Sequence, residues 1–385
     1  MNRVFHHHIL RSLVAFFPHI RFQSHGLRSK AFSRIPTRHQ PHRHHNDNDN
    51  DNDNGDPKNQ KPWNEAFGSR FQLHKSRGQH LLTNPRILDS IVRRANIYPD
   101  DIVLEIGPGT GNLTVRLLQS ASKVIAIEID NRMVDSLLGR VSQLGLADRL
   151  TVIKENALMT KLPPFDLCVA NIPYGISSPL IAKLLFETRP PCFRTATLLL
   201  QKEFARRLLA MPGDSDYNRL AVNVGLVANV EFLMDVSKKD FVPSPKVDST
   251  LVKIRPRDEV PVVDLDEWLA FIRTCFSKRN KTLGAIFKQK KKIAELLERL
   301  VKLNSRKLRE VEEEEEEEED DDDDDDCENE EGEVGGDGLE VGLFKERVIG
   351  ILKSGGFEEK RPSKLSNEEL LHLLQLFNKK GIVFH

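Results

Sequence analysis

Residues 85–256 alternate between short apolar runs and segments whose apolar residues fall at helical spacing. Strands that are apolar on both faces and are joined by helices form mostly parallel sheets with helices on both sides. The pattern therefore predicts the fold class α/β, with a doubly wound, mostly parallel sheet. The five predicted strands are Ile102–Ile106, Val124–Glu128, Leu150–Ile153, Leu167–Ala170 and Thr197–Leu200.

Two later apolar segments, Val230–Val236 and Ser249–Ile254, have no helical segment between them. We expect them to form an antiparallel pair at one edge of the sheet.

The pattern becomes helical after Asp264, which predicts a small C-terminal helical domain. Ser366 is a predicted N-cap, with Glu369 three residues later as its capping-box partner. The predicted helical segments are Glu267–Phe276, Lys281–Leu303, Phe344–Leu352 and Asn367–Phe377.

An unbroken run of 15 acidic residues, Glu312–Asp326, interrupts the helical region. Its low complexity predicts a disordered insertion, which we place at residues 311–340.

The acidic run also offsets the positive net charge of the rest of the chain. The formal net charge is -1, yet outside the run 57 basic residues face 43 acidic ones. This excess indicates an anionic partner, with RNA or DNA as the first candidate.

Residues 1–46 contain no acidic residue, but seven Arg, one Lys and nine of the 13 His. This composition is typical of an organellar transit peptide. The excess of Arg over Ser favours the mitochondrion, with the chloroplast and the nucleus or nucleolus as alternatives. A basic arm that binds nucleic acid is the other interpretation.

The next segment, residues 47–62, is rich in alternating Asn and Asp, and this composition predicts a disordered linker. The predicted domains are therefore 63–257 and 258–385.

A glycine-rich segment, Glu105–Gly111, follows a predicted strand and opens a predicted helix. Glycines let the backbone turn tightly beside a ligand, and a helix N-terminus offers free N–H groups. The next strand ends at Glu128, where an acid meets ribose hydroxyls in doubly wound sheets. Asn112 stands where the dinucleotide motif needs Gly or Ala, so the spacing favours S-adenosylmethionine over NAD. The candidate cofactor residues here are Gly107, Gly109, Gly111 and Glu128.

Asn156 follows the third predicted strand and is placed to hydrogen-bond the adenine edge of this cofactor. Taken alone, an Asn at this position is better explained as a turn residue.

The segment Asn171-Ile-Pro-Tyr174 closes the fourth predicted strand. An exocyclic adenine amine is a poor nucleophile, because its lone pair is delocalised into the ring. The Asn171 side-chain oxygen and a backbone carbonyl of Ile172 or Pro173 can accept its two N–H bonds. Pro173 fixes the chain, and Tyr174 offers an aromatic face for an extruded base. The alternative is a structural Asn-x-Pro turn in which the tyrosine only packs.

Several classes of protein are not indicated. The four cysteines are scattered without a Cys-x-x-Cys pair, which predicts neither a zinc site nor a disulfide framework, and no metal is expected. Cys168 lies in an apolar run and is expected to be a small buried residue. No window reaches the roughly 18 apolar residues that span a bilayer, so no membrane partner is expected.

Five segments in the same order resemble the ribosomal RNA adenine N6,N6-dimethyltransferases. The similarity covers residues 71–287 and resumes at 344–384, and it implies a Rossmann-like methyltransferase sheet. The ending, 361–370 with 377–384, is more similar to the eukaryotic and archaeal branch. The five segments are Lys75–Leu82, Glu105–Gly111, Asn171–Tyr174, Leu200–Glu203 and Phe241–Ser249.

The resemblance implies roles for individual residues. His80 and Leu82 would line the cofactor pocket beside Gly107, Glu128, Asn156 and Asn171. Tyr174 and Phe241 would sandwich the target adenine, and the implied catalytic set is Asn171, Pro173, Tyr174 and Phe241. Without the family, Phe241 would be a core aromatic. The family often has Asn where His80 stands and usually has Asp where Asn156 stands. The second change removes a negative charge, which lowers the expected affinity for the cofactor.

The implied substrate is a pair of adjacent adenosines in the hairpin near the 3′ end of small-subunit ribosomal RNA. A transit peptide would direct the enzyme, expected to be a monomer, to the mitochondrial ribosomal subunit. A DNA adenine methyltransferase and a non-catalytic nucleic-acid-binding or transcription factor are the alternatives. Basic residues of the helical domain are expected to contact RNA phosphates, with a solvated helix face as the competing interpretation. They are Lys278, Arg279, Lys281, Lys288, Lys290, Lys291 and Lys292.

Overall fold

The computed structural model describes residues 79–187, 191, 193–316 and 337–384. The predicted transit peptide, the linker and the beginning of the 63–257 domain lie outside these residues. The strands are β1 (Leu81–Leu82), β2 (Ile102–Ile106), β3 (Lys123–Ile127), β4 (Leu150–Ile153), β5 (Leu167–Asn171), β6 (Thr195–Gln201), β7 (Ala228–Val236), β8 (Phe241–Val242) and β9 (Ser249–Pro256).

The helices alternate with these strands and then follow them. They are α1 (Pro85–Ala95), α2 (Thr114–Ser120), α3 (Asn131–Gln143), α4 (Ser177–Phe186), α5 (Lys202–Leu209), α6 (Arg219–Val227), α7 (Leu265–Cys275), α8 (Leu283–Phe287), α9 (Lys290–Glu316), α10 (Asp337–Ser354) and α11 (Asn367–Asn378).

A seven-stranded sheet with the order β4-β3-β2-β5-β6-β9-β7 forms the centre of the first domain. The first five strands in this order run parallel, while β9 pairs antiparallel with both β6 and β7. The predicted α/β fold and its antiparallel edge are confirmed. Cys168, on β5, is fully buried, as an apolar run on a central strand requires.

The order of the strands reverses between β2 and β5. The chain leaves β2 toward β3 on one side, and β5 lies on the other side of β2. Loops that follow these two strands diverge and leave a crevice at the carboxyl edge of the sheet, which is where doubly wound sheets bind ligands. The glycine-rich segment follows β2, and Asn171 ends β5.

A second, two-stranded sheet joins distant parts of the chain beside this crevice. β1 pairs antiparallel with β8, so that Leu81 is opposite Val242 and Leu82 is opposite Phe241. Strands of two residues carry no periodicity, and this pair was not predicted.

Aromatic rings fill the core of the C-terminal helices. Phe271 packs against Phe384 with ring centroids 5.0 Å apart, and Phe377 packs against Phe384 at 5.3 Å. The buried Glu267 carboxylate accepts hydrogen bonds from the Phe384 backbone N–H and from Asn378, which holds the chain end on α7. The Ser366–Glu369 capping box is present, as predicted.

Both ends of the predicted acidic insertion differ from the expectation. Helix α9 continues to Glu316 and α10 begins at Asp337, so both ends of the 311–340 segment are helical. Glutamate has high helix propensity, which lets α9 extend into the acidic run. Residues 317–336 lie outside the described residues.

Candidate active site

One pocket occupies the crevice at the ends of β2, β3 and β5. Four segments build most of it: residues 79–82 including β1, the glycine-rich turn, the end of β3 and the end of β5, with Leu88 of α1 and Met133 of α3 completing the wall. The lining residues are Gln79, His80, Leu81, Leu82, Leu88, Glu105, Gly107, Pro108, Gly109, Thr110, Asn112, Leu113, Glu128, Ile129, Asp130, Met133, Asn171, Ile172, Pro173 and Tyr174.

The three candidate glycines all have left-handed backbone conformations, with φ of +67° at Gly107, +57° at Gly109 and +83° at Gly111. Residues with a side chain rarely adopt them. Gly107 and Gly109 line the pocket, whereas a Cβ on Gly111 would lie 2.6 Å from the Leu137 side chain. The conformation of Gly111 therefore serves the packing of the turn against α3, and not the pocket wall predicted for it.

Glu128 joins the end of β3 to the glycine-rich turn. Its Oε1 accepts the backbone N–H groups of Ile129 at 2.9 Å and Asp130 at 3.0 Å, and its Oε2 accepts that of Gly109 at 3.3 Å. Burial raises the pKa of this half-buried carboxyl, against the hydrogen bonds that lower it. Glu128, the predicted ribose-binding acid, thus lines the pocket and connects the end of β3 to the glycine-rich turn.

Hydrogen bonds from the side chains of other elements hold residues 79–82 at the pocket. Asn112 donates to the Leu82 carbonyl at 2.8 Å, and Asn171 donates through Nδ2 to the His80 carbonyl at 3.1 Å. Arg140 in turn donates to Asn112 Oδ1 at 2.6 Å. Asn112, which separates this motif from the dinucleotide motif, therefore holds β1 against the glycine-rich turn.

The end of β5 presents the groups expected to hold an amine. Because Asn171 Nδ2 is engaged by the His80 carbonyl, its Oδ1 remains available as an acceptor at the pocket wall. The sequence does not decide whether the second acceptor is the backbone carbonyl of Ile172 or that of Pro173. The Pro173 carbonyl accepts the Ile176 N–H at 3.0 Å, which favours the Ile172 carbonyl.

Tyr174 is held by its hydroxyl, which lies 2.9 Å from Ser249 Oγ on β9. Ser249 is fully buried. Burial raises the pKa of Tyr174, so its hydroxyl stays protonated and can serve this hydrogen bond. The ring therefore has a fixed orientation at the pocket wall.

Phe241 and Asn156 are not among the residues that line the pocket. Phe241 is only 2% exposed, packs in the core beneath β1 and is not among the residues that line the pocket. Asn156 is exposed outside the pocket, and its Oδ1 accepts the Leu158 N–H at 3.0 Å. This is the turn geometry that we considered as the alternative for Asn156. The core position of Phe241 likewise matches its interpretation without the family.

Glu105 lines the pocket and was not selected from the sequence. It is 2% exposed, and its Oε2 has no hydrogen-bond partner within the described residues. Burial raises the pKa of this carboxyl to about 8, against a smaller opposing effect of the Thr114 hydroxyl. The sequence does contain a signal for Glu105, because it is the one acid in the otherwise apolar run Ile102–Ile106. Acidic side chains are rarely buried unless they have a partner or a function.

The raised pKa of Glu105 predicts a pH-dependent stability. Between its ordinary value of 4.5 and about 8, the folded state holds a proton that the unfolded state releases. The stabilisation is therefore complete below 4.5 and is lost as the pH rises toward 8, by at most about 1.4 kcal/mol per pH unit. Urea unfolding across this window should show a steeper loss for the wild type than for Glu105→Gln. Equal slopes would contradict the assignment.

The predicted RNA-binding residues divide into two groups. Three are engaged internally: Lys288 with Glu358 at 2.8 Å, Lys292 with Glu295 at 2.8 Å, and Arg279 with the Tyr217 carbonyl at 2.8 Å. The other four are exposed and are the better candidates for phosphate contacts, namely Lys278, Lys281, Lys290 and Lys291.

Within the described ranges, no group of three or more His, Cys, Asp or Glu side chains is arranged to hold a metal ion. The helices of the same part of the chain include none with the length and apolar character of a membrane span.

Comparison with known sequences gives consistent matches. The sequence model described as Ribosomal RNA adenine dimethylase matches residues 70–315. A relative from Arabidopsis thaliana, "Ribosomal RNA small subunit methyltransferase, mitochondrial", is 58% identical over 318 residues, covering 81% of each chain. A second from the same organism, "Ribosomal RNA small subunit methyltransferase", is 52% identical over 342 residues, or 85% of this chain and 96% of the relative.

Among solved structures, a dimethyladenosine transferase from Plasmodium falciparum matches with a TM-score of 0.65 and 41% identity. The match covers 79% of this chain and 100% of that structure.

Proposed function

The chain belongs to the ribosomal RNA adenine dimethylase family, and we propose that it dimethylates N6 of two adjacent adenosines in the hairpin near the 3′ end of small-subunit ribosomal RNA. It is an S-adenosylmethionine-dependent ribosomal RNA methyltransferase. The observation that carries the proposal is the position of Asn171, which shares one pocket with the glycine-rich turn and Glu128. An acceptor for an amine thus lies beside the elements suited to a nucleoside cofactor.

The pocket fits S-adenosylmethionine in charge and shape. The left-handed turn at Gly107 and Gly109 exposes backbone without side chains. Glu128 can accept ribose hydroxyls. The Oε2 of Glu105 is buried without a hydrogen-bond partner, and a cationic group of the cofactor beside it would favour the charged form of this carboxyl over the protonated form that burial favours. His80 and Leu82 line the same pocket. When bound, S-adenosylmethionine supplies a methyl group activated by a sulfonium.

The residues at the end of β5 position the target. Asn171 Oδ1 and the Ile172 carbonyl accept the two amine N–H bonds and direct the nitrogen lone pair away from the ring. Tyr174 gives the extruded base a stacking surface. Pro173 contributes rigidity, because its ring packs against the turn at Gly107. Positioning and desolvation provide the acceleration, and the amine proton leaves to water afterwards.

Incubation of the purified chain with the small-subunit hairpin and labelled S-adenosylmethionine tests this function. Digestion and mass spectrometry should find N6,N6-dimethyladenosine at both adjacent positions. A hairpin with both adenosines replaced by guanosine is the control. Methylation of duplex DNA but not of the hairpin would support the DNA methyltransferase alternative.

The helical domain is proposed to bind the RNA backbone through its exposed lysines. The double variant Lys290→Glu/Lys291→Glu should weaken RNA binding and reduce the dependence of log K on log salt concentration, because fewer counterions are released. Filter binding at several salt concentrations measures this. Lys302→Glu on the same helix is the control, because Lys302 pairs with Glu298. An unchanged salt slope in the double variant would show that these lysines form only a solvated face.

The mitochondrion is the proposed location, and the small ribosomal subunit or its precursor is the proposed partner of a monomeric enzyme. The acid-free composition of residues 1–46 supports the location, as does the relative named mitochondrial. The second Arabidopsis thaliana relative carries no compartment in its name, so chloroplast and nucleus or nucleolus stay as alternatives.

A further inference from the structure

Asn112, the residue that separates the glycine-rich segment from the dinucleotide motif, lines the pocket and is only 8% exposed. Arg140 of α3 donates to its Oδ1 at 2.6 Å, and its Nδ2 donates to the Leu82 carbonyl at 2.8 Å. We propose that Arg140, which is not among the residues that line the pocket, positions the pocket wall at Leu82 through Asn112 and thereby sets the affinity for the cofactor. This inference rests on the S-adenosylmethionine site of the proposed function.

The chemistry of the two neighbours fixes the orientation of the Asn112 amide. A guanidinium only donates hydrogen bonds, and a backbone carbonyl only accepts them. With Oδ1 toward Arg140, the amide NH2 group faces the Leu82 carbonyl. A half-turn of the amide would set donor against donor at Arg140 and acceptor against acceptor at Leu82. Arg140 therefore selects the one orientation in which Asn112 can hold β1.

The two-residue strand β1 needs such an anchor. Only Leu81 and Leu82 pair with β8, and so short a ladder supplies few backbone hydrogen bonds. The strand also lies directly on the glycine-rich turn, since a Cβ on Gly109 would be 2.7 Å from the Leu81 side chain. Because Leu82 lines the pocket, the bond from Asn112 sets the position of this wall relative to the turn.

The guanidinium of Arg140 is partly buried and bonds only to the pocket wall within the described residues. Its Nη1 lies 3.3 Å from the Thr110 carbonyl, and both Thr110 and Asn112 line the pocket. Burial lowers the pKa of Arg140, and the positive charge of Arg116 adds to this effect. A cation that is partly removed from water needs good acceptors, so Arg140 favours the arrangement in which these two oxygens face it.

Calorimetric titration of the full chain with S-adenosylmethionine tests this relay, with the melting temperature of each variant measured alongside. Arg140→Leu should weaken cofactor binding by about tenfold or more, because one hydrogen bond to a charged group contributes at least about a tenfold change in affinity. Arg140→Lys, which keeps a charged donor, should recover most of this loss.

Arg149→Leu is the matched control. Arg149 is likewise partly buried, and it donates to the backbone carbonyls of Ser122 and Ala121, which do not line the pocket. Its replacement should lower the melting temperature and leave the affinity for S-adenosylmethionine within about twofold of the wild type.

Variants of Asn112 separate positioning from stability. Asn112→Asp keeps an oxygen for Arg140 and gains an ion pair, but it cannot donate to the Leu82 carbonyl. It should melt close to the wild type and still bind the cofactor about tenfold more weakly, although the added negative charge would by itself favour a cation. The double variant Arg140→Leu/Asn112→Leu should lose no more affinity than Asn112→Leu alone, since residues that act through one another are not additive.

Wild-type cofactor affinity in Arg140→Leu or in Asn112→Asp would overturn the inference. Additive losses in the double variant would also overturn it, because they would show that Arg140 and Asn112 act independently. These titrations use the cofactor alone. A wild-type protein that binds S-adenosylmethionine but does not methylate the hairpin would therefore contradict the proposed function and not the role of Arg140.

Discussion

Asn171→Ala is expected to reduce the rate of methyl transfer by about 100- to 1,000-fold, the cost of removing one aligned polar group from a reacting centre. The substitution removes the Oδ1 acceptor for the amine and the Nδ2 bond to the His80 carbonyl. Single-turnover methyl incorporation at saturating RNA and cofactor measures the effect. RNA affinity should stay within about threefold, because most of it comes from phosphate contacts.

Asn171→Asp separates the two functions of this side chain. An aspartate keeps acceptor oxygens toward the amine but cannot donate to the His80 carbonyl, so we expect an intermediate rate. If Asn171→Ala methylates the hairpin at the wild-type rate, the amine is not held at the end of β5. Equal loss in the Ala and Asp variants would instead locate the function in the bond to His80.

Glu128→Ala should weaken S-adenosylmethionine binding by about 10- to 100-fold. Hydrogen bonds to a charged acceptor contribute about 1.5–3 kcal/mol, and each 1.4 kcal/mol is a tenfold change in affinity. Two sources add to the loss: the ribose contacts, and the backbone N–H groups of Gly109, Ile129 and Asp130 that Glu128 now accepts. Calorimetric titration with the cofactor measures it.

Glu128→Gln is the matched control for this prediction. It keeps one acceptor oxygen and the side-chain shape but loses the charge, so its affinity should lie between those of the wild type and Glu128→Ala. At saturating cofactor, both variants should approach the wild-type rate of transfer, because Glu128 follows β3 and the amine acceptors follow β5, with β2 between these two strands. Wild-type cofactor affinity in Glu128→Ala would place the ribose elsewhere in the pocket.

The sheet could be predicted from the sequence because its strands are buried on both faces. A short apolar run such as Leu167–Ala170, with helical segments on both sides, is best explained as a buried strand. The observed strand β5 extends only one residue further, to Asn171. The positions of Gly107, Glu128 and Asn171 in the pocket follow from the same fact, since each ends or follows a parallel strand. The β1–β8 pair has only two residues in each strand and leaves no pattern.

Contacts between distant residues explain what the sequence did not reveal. His80 meets Pro243 and Tyr174 meets Ser249, pairs that are 163 and 75 residues apart. No local pattern shows that Phe241 packs beneath β1 or that the ring of His80 lies beside that of Tyr174. The ion pairs of Lys288 and Lys292 with glutamates were likewise hidden, because a basic cluster in sequence shows no partners.

Mass spectrometry of small-subunit ribosomal RNA from cells that lack this protein tests the central claim most directly. Mitochondrial and cytosolic ribosomal RNA are purified separately, and the 3′ hairpin fragment of each is analysed. We expect N6,N6-dimethyladenosine to disappear from the mitochondrial fragment, to return with the wild-type chain and to stay absent with Asn171→Ala. Loss from the cytosolic fragment alone would move the enzyme to another compartment. Full dimethylation of every small-subunit hairpin in these cells would contradict the account.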